Sequence, residues 1–198
     1  TSLLGGDTVG RADDGKRMLG MTALGRATHF PIPSRSGAIT GDCLYLTGPV
    51  GDARAGYEMV EAGLPVPQPL ADAFNRPVAL LDEGKKLASH VHAMMDVSDG
   101  LLIDAQHMAG ASGLSVRIDL SQIPLSDHYV EHRGQGIAAR LEAASWGDDY
   151  QLLFAAPAGR TFDVPVYPVG QFSDGSGISL HDAGRDIPLP PILGFSHR

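Results

Sequence analysis

Residues 94–104, Met-Met-Asp-Val-Ser-Asp-Gly-Leu-Leu-Ile-Asp, leave the backbone few options. The apolar approach over residues 91–95 reads as the end of a buried strand. Ser98-Asp99-Gly100 then interrupts it with turn and helix-cap chemistry. Beyond the break, Leu101, Leu102, Ala105, Met108 and Ala109 share one helical face, and Gly110 reads as a stop. The stretch is therefore a strand, a tight turn and a helix, with Asp96 and Asp99 at the junction.

A helix N-terminus offers free backbone N–H groups and favours anions. Two carboxylates there repel a bare phosphate, unless a divalent cation lies between them; magnesium takes a few carboxylates together with phosphate oxygens. A plain alternative is that Ser98 or Asp99 only caps the helix. Asp96 favours the metal, because a carboxylate ending an apolar strand needs a partner. Pattern alone leaves both readings open.

With 198 residues the chain can bury a sizeable core, as one domain or as a domain and part of another. Apolar residues at 43% and charged residues at 19% place it with globular chains rather than disordered ones. A net charge of −8 argues against a nucleic-acid surface, which wants a basic face, but not against nucleotides held through metal. No apolar run is long enough to span a bilayer, and no signal peptide is visible. The single Cys43 excludes an intrachain disulfide and suits a reducing cytoplasm. Thr1 leads at once into Leu3-Leu4-Gly5-Gly6-Asp7-Thr8, which reads as a chain cut within a domain.

Leu3-Leu4 followed by Gly5-Gly6-Asp7 reads as a short strand ending in a glycine turn that carries an acid. Residues 17–25 alternate loosely, as a strand does, and residues 26–36, with two prolines, are the candidate domain crossing. Arg35 has the planar fork that clamps phosphates, although an exposed arginine is usually a solvated charge. A strand is expected over 43–47, a helix after Gly51-Asp52, an irregular stretch over 64–70, and a third helix opened by Arg76-Pro77. His90 and His92 share a sheet face but lack the further ligands of a zinc site. Residues 114–120 alternate with Val116, Ile118 and Leu120 inward. A helical or turn segment starts at Pro124, and a helix follows over 134–144. Trp146-Gly147-Asp148-Asp149-Tyr150 is a second acidic turn, followed by strands at 151–155, 164–172 and 178–180 and an irregular tail carrying Gly194-Phe195.

Several of these stretches together resemble thiamine-monophosphate kinase. They are Leu4-Gly5-Gly6-Asp7-Thr8, Arg35-Ser36-Gly37-Ala38 with Gly41-Asp42, Asp96-Val97-Ser98-Asp99-Gly100-Leu101, Gly147-Asp148-Asp149-Tyr150, Ile123-Pro124-Leu125-Ser126 and Gly194-Phe195-Ser196-His197. That family belongs with aminoimidazole ribonucleotide synthetase and selenophosphate synthetase. The resemblance implies an α/β (α+β) fold: the remnant of an N-terminal ATP-binding and dimerisation domain over 1–30, then a complete C-terminal α/β domain over 31–198. It implies transfer of the ATP γ-phosphoryl group to thiamine monophosphate, Mg2+ as cofactor, and a cytoplasmic homodimer.

Carried over by residue, Gly6 and Asp7 resemble a nucleotide contact and a magnesium ligand, Arg35 a phosphate contact, and Ser98 a nucleotide contact. Asp96 and Asp99 match metal ligands and, with Asp7, the catalytic set. Asp148 and Phe195 match the thiamine-phosphate pocket, where an aromatic suits a flat cation. Three departures stand out. The family's first half-domain, with several metal-binding acids, is absent; Asp148 replaces the usual Glu; and the tail ends His197-Arg198 where an aromatic normally follows His. The expectation is a kinase whose present chain is inactive alone. The alternatives are another ATP-dependent enzyme of the superfamily or a non-catalytic nucleotide-binding fragment.

Overall fold

In the computed structural model, Thr22 and residues 24–195 are described. Gly6, Asp7 and His197, and most of the strand expected over 17–25, lie outside those residues.

Strand β1 (Asp42–Leu46) separates two apolar cores by its alternation. Leu44 and Leu46 face one core, and Cys43 and Tyr45 the other. Antiparallel beside it, β4 (Leu152–Pro157) repeats the division, with Leu153 and Ala155 against Leu152, Phe154 and Ala156. Burial on both faces is why β4 reads as an uninterrupted apolar run. On the second face Tyr45 and Phe154 stack with ring centroids 5.3 Å apart, and Phe162 meets Phe154 edge-on at 5.2 Å.

The sheet continues with β2 (Ala93–Asp96), β3 (Ser115–Asp119), β5 (Tyr167–Ser173), β6 (Gly177–Asp182) and β7 (Arg185–Ile187), in the order β2-β4-β1-β5-β3-β6-β7. The β3–β6 pair is parallel and the others are antiparallel. The larger core lies under α1 (Asp52–Glu61), α2 (Gln68–Asn75), α4 (Leu101–Ser112), α5 (Asp127–Arg133) and α6 (Ile137–Ala144). Helix α3 (Leu81–Leu87) covers the other face through Leu87. The α/β reading holds, as do β2, the turn and α4. No helix among the described residues is long and apolar enough to cross a membrane.

Several local expectations fail for identifiable reasons. Helix α4 runs through Gly110 to Ser112 and ends at Gly113, whose φ of 69° supplies the left-handed cap. The stretch expected to be irregular over 64–70 already contains the start of α2, with Pro69 in its first turn, where a missing N–H is harmless. Arg76-Pro77 closes α2 rather than opening a helix, because the proline ring pushes Arg76 out of helical conformation (φ −146°, ψ 57°). Val164 packs in the smaller core ahead of β5 instead of inside a strand. The short β7 was not anticipated.

Candidate active site

Antiparallel pairing of β2 with β4 decides where the site lies. Asp96 stands opposite Leu152, so the turn after β2 runs beside the turn before β4. Val97 N–H donates to the Gln151 carbonyl at 2.8 Å, Tyr150 N–H to Val97 at 2.8 Å, and Asp148 N–H to Ser98 at 3.0 Å. Gly147 permits the approach: a Cβ there would sit 1.9 Å from the Ser98 carbonyl oxygen. Asp148 and Tyr150 hold φ values of 66° and 51°, which are uncommon for residues with side chains.

The amides of the 97–100 turn point into the protein. Ser98, Asp99 and Gly100 all donate to one oxygen, Asp104 Oδ2, at 3.0, 3.1 and 3.2 Å. Asp104 is only 2% exposed. Burial raises its carboxyl above the ordinary range; the amides pull it back down, and the neighbouring Asp99 charge adds to the rise. The carbonyls are used as well. Those of Val97 and Ser98 join the second turn, that of Asp99 accepts from Phe195 N–H at 2.8 Å, and that of Gly100 accepts from Asp104 N–H at 3.0 Å.

This corrects two expectations. The turn amides thought open to an anion are saturated from inside, and neither Ser98 nor Asp99 caps the helix, whose N-cap is Gly100 with no side-chain bond. Asp96 is exposed rather than buried, so desolvation does not require it to have a partner.

Only side chains remain to meet a ligand at this turn. The Tyr150 hydroxyl donates to Asp148 Oδ1 at 3.1 Å. Its pKa is raised by burial, by that bond and by the charges of Asp148, Asp96 and Asp99. Asp149 turns the other way, accepting Gly51 N–H at the start of α1 at 2.9 and 3.0 Å. It keeps some solvent exposure as a residue, yet burial of its carboxyl pushes the pKa well above the usual range, with Asp52 adding to the effect.

Beside the acids lies a cavity of about 810 Å³, walled by Ile103, Leu141, Trp146, Leu193 and Phe195 among others. That volume falls within the roughly 300–1,000 Å³ of small-molecule sites. The Arg54 guanidinium lies 4.8 Å from the centre of the Trp146 ring and is itself paired with Glu58 at 2.8 Å and Glu142 at 3.5 Å. Gly194 packs directly on Ile103 and the Asp99 carbonyl, bringing Phe195 to the acidic turn.

Asp96, Ser98, Asp99, Asp148 and Phe195 are thus brought together. Arg35 is not with them. Ser34 bridges to Ala93 at the start of β2, and the Arg35 carbonyl accepts from Ser112 Oγ at the far end of α4. The length of that helix, roughly 16 Å, separates Arg35 from Asp99. Trp146, Tyr150 and Asp104 had no assigned role in the sequence reading. For Asp104 a signal existed: it falls on the apolar stripe of α4 with Leu101, Ala105 and Met108, where an acid requires an internal partner.

Among the described residues no three His, Cys, Asp or Glu side chains converge tightly enough to hold a metal ion by themselves. The oxygen donors of Asp96 and Asp99 nevertheless fit magnesium, which binds through one or two carboxylates plus phosphate oxygens and waters.

Residues 40–180 match the family model for AIR synthase related protein, C-terminal domain, and the chain belongs to that family. Within it, the chain is 33% identical to thiamine-monophosphate kinase of Caulobacter vibrioides, over 99% of this chain and 58% of that protein. It is 36% identical to the Salmonella typhimurium enzyme of the same name, over 98% of this chain and 63% of that one. The solved structure of AaThiL complexed with AMPPCP and TMP aligns with a TM-score of 0.70 at 30% identity, over 82% of this chain and 53% of that one. The chain therefore spans about three-fifths of the length of these two kinases.

Proposed function

We propose that this chain carries the nucleotide- and thiamine monophosphate-binding residues of a thiamine-monophosphate kinase, which moves the ATP γ-phosphoryl group onto the substrate's phosphate. One observation carries the reading. Every backbone polar group of residues 97–100 is satisfied within the protein, so the turn meets ligands through carboxylates rather than amides. Such a surface suits a phosphate that arrives with a cation, and not a bare anion.

Asp96 and Asp99, with Asp7, are assigned to Mg2+, and Gly6 and Ser98 to the nucleotide; Arg35, a helix length away, is left out of this set. Bound Mg2+ supplies charge neutralisation between two anionic reactants. The protein's own part is positioning. The paired turns hold the carboxylates in place, and the Tyr150 hydroxyl orients Asp148 toward the thiamine phosphate. Phe195, at the mouth of the cavity, offers a face to the cationic ring. No side-chain nucleophile is needed, because the acceptor phosphate attacks. A homodimer in the cytoplasm completes the proposal; the first rests on the resemblance and the second on the lone thiol of Cys43.

Calorimetry with a non-hydrolysable ATP analogue, with and without Mg2+, tests this. The analogue should bind only with Mg2+, Asp96→Asn should abolish that dependence, and Phe195→Ala should weaken thiamine monophosphate alone. Analogue binding that ignores both Mg2+ and Asp96 would overturn the assignment. Coupled ADP release measures whether these residues alone turn over.

A further inference from the structure

Asp104 touches none of the ligands assigned above, yet the turn that bears Asp96, Ser98 and Asp99 is built on it. A helix start with no side chain at its N-cap normally leaves its amides to water or to an external anion. Here Gly100 is that N-cap, at φ 128°, and one carboxylate oxygen reaching back from the first turn of α4 takes three consecutive N–H groups. Three converging amides form an anion-binding concavity, and a carboxylate is the side chain that fills it best. Its other oxygen lies 3.8 Å from His107 Nδ1. If stability were all that mattered, a serine or asparagine at the N-cap would serve without burying a charge beside Asp99.

We propose that Asp104 is a positioning residue for the metal-binding carboxylates: a buried carboxyl that occupies the amide concavity and fixes the turn with its side chains toward the ligand. The proposal rests on the reading of Asp96 and Asp99 as magnesium ligands. It explains why the site is acidic. With the amides already occupied, a phosphate at this turn meets the carboxylates and the Ser98 hydroxyl, and a cation is needed to offset the carboxylates.

The test compares Asp104→Ala and Asp104→Asn in the full chain by amide hydrogen exchange and by Mn2+ binding measured by electron paramagnetic resonance. Alanine is a good helix former, so α4 itself should persist. In Asp104→Ala the amides of Ser98, Asp99 and Gly100 should exchange at least about tenfold faster, and Mn2+ affinity should fall about 10- to 100-fold, as for other groups that orient metal ligands. Protection in β4 should be unchanged. Asp104→Asn, which keeps an acceptor oxygen without the charge, should recover part of both. If the alanine variant loses protection in β4 as well, the asparagine variant is judged by the same two readouts. Mn2+ affinity within twofold of the unsubstituted chain, whether or not the turn loosens, overturns the proposal. Failure of the underlying metal reading looks different: the unsubstituted chain would bind Mn2+ no better than Asp96→Asn, and the proposal would fall with that reading.

Discussion

Gly147→Ala tests the claim that the two acidic turns form one unit. The new methyl would lie 1.9 Å from the Ser98 carbonyl oxygen, 2.8 Å from its carbon and 3.0 Å from Asp99 Cα, all backbone atoms that cannot rotate away. Ordinary contact needs roughly 3.5 Å, so the turns must part by about 1.5 Å. That separation breaks the Asp148–Ser98 bond of 3.0 Å and the Tyr150–Val97 bond of 2.8 Å. Overpacking costs about 1–3 kcal/mol and each lost bond about 0.5–1.5 kcal/mol, giving about 2–6 kcal/mol in all. Gly110→Ala is the control. It lies inside α4 with nothing within 4 Å of the added carbon, and it should stabilise by about 0.5–1 kcal/mol. Urea unfolding followed by circular dichroism gives the free energies. The single tryptophan, Trp146, reports the site separately by its fluorescence. An unchanged midpoint and unchanged Trp146 emission in Gly147→Ala would refute the reasoning.

Asp149 has a folded-state pKa raised well above its unfolded value, so its protonated form is favoured by the fold, and stability is lost as pH rises through that raised value. Asp149→Asn, which cannot ionise, should match the parent's melting temperature near pH 4 and exceed it at pH 8; a difference that does not grow with pH contradicts the sign. Tyr129→Phe removes the bond from a fully buried hydroxyl to the Ala139 carbonyl (2.9 Å) and should cost about 1 kcal/mol in urea unfolding. Asp42→Ala strips the acceptor from Ile39 N–H (3.1 Å) and from His92 (2.9 Å) at a site 2% exposed, and should cost about 1–3 kcal/mol by the same measurement.

Local chemistry was legible without coordinates. The apolar approach to Asp96, the Ser-Asp-Gly break and the stripe of α4 act over a few residues, and they announced strand, turn and helix. The second acidic turn ahead of β4 was legible for the same reason, and shared motifs marked Asp96, Ser98, Asp99, Asp148 and Phe195 as one site. Errors gathered where one residue type serves two purposes. Gly110 sits inside a helix that Gly113 ends, and Pro77 stops a helix that it was read as starting.

What the sequence alone determined, then, is which segments bend, which are apolar, and which carry acids at their ends. That the turn of Asp148 lies beside the turn after Asp96, that Asp149 turns away to the start of α1, and that Asp104 rather than a ligand takes the turn's amides were decided by tertiary structure. The reason is the range of the forces. Helix and turn preferences are settled between near neighbours, whereas the pairing of β2 with β4 joins residues far apart in the chain. Only once that pairing exists do hydrogen bonds choose which carboxylate faces inward and which faces the ligand.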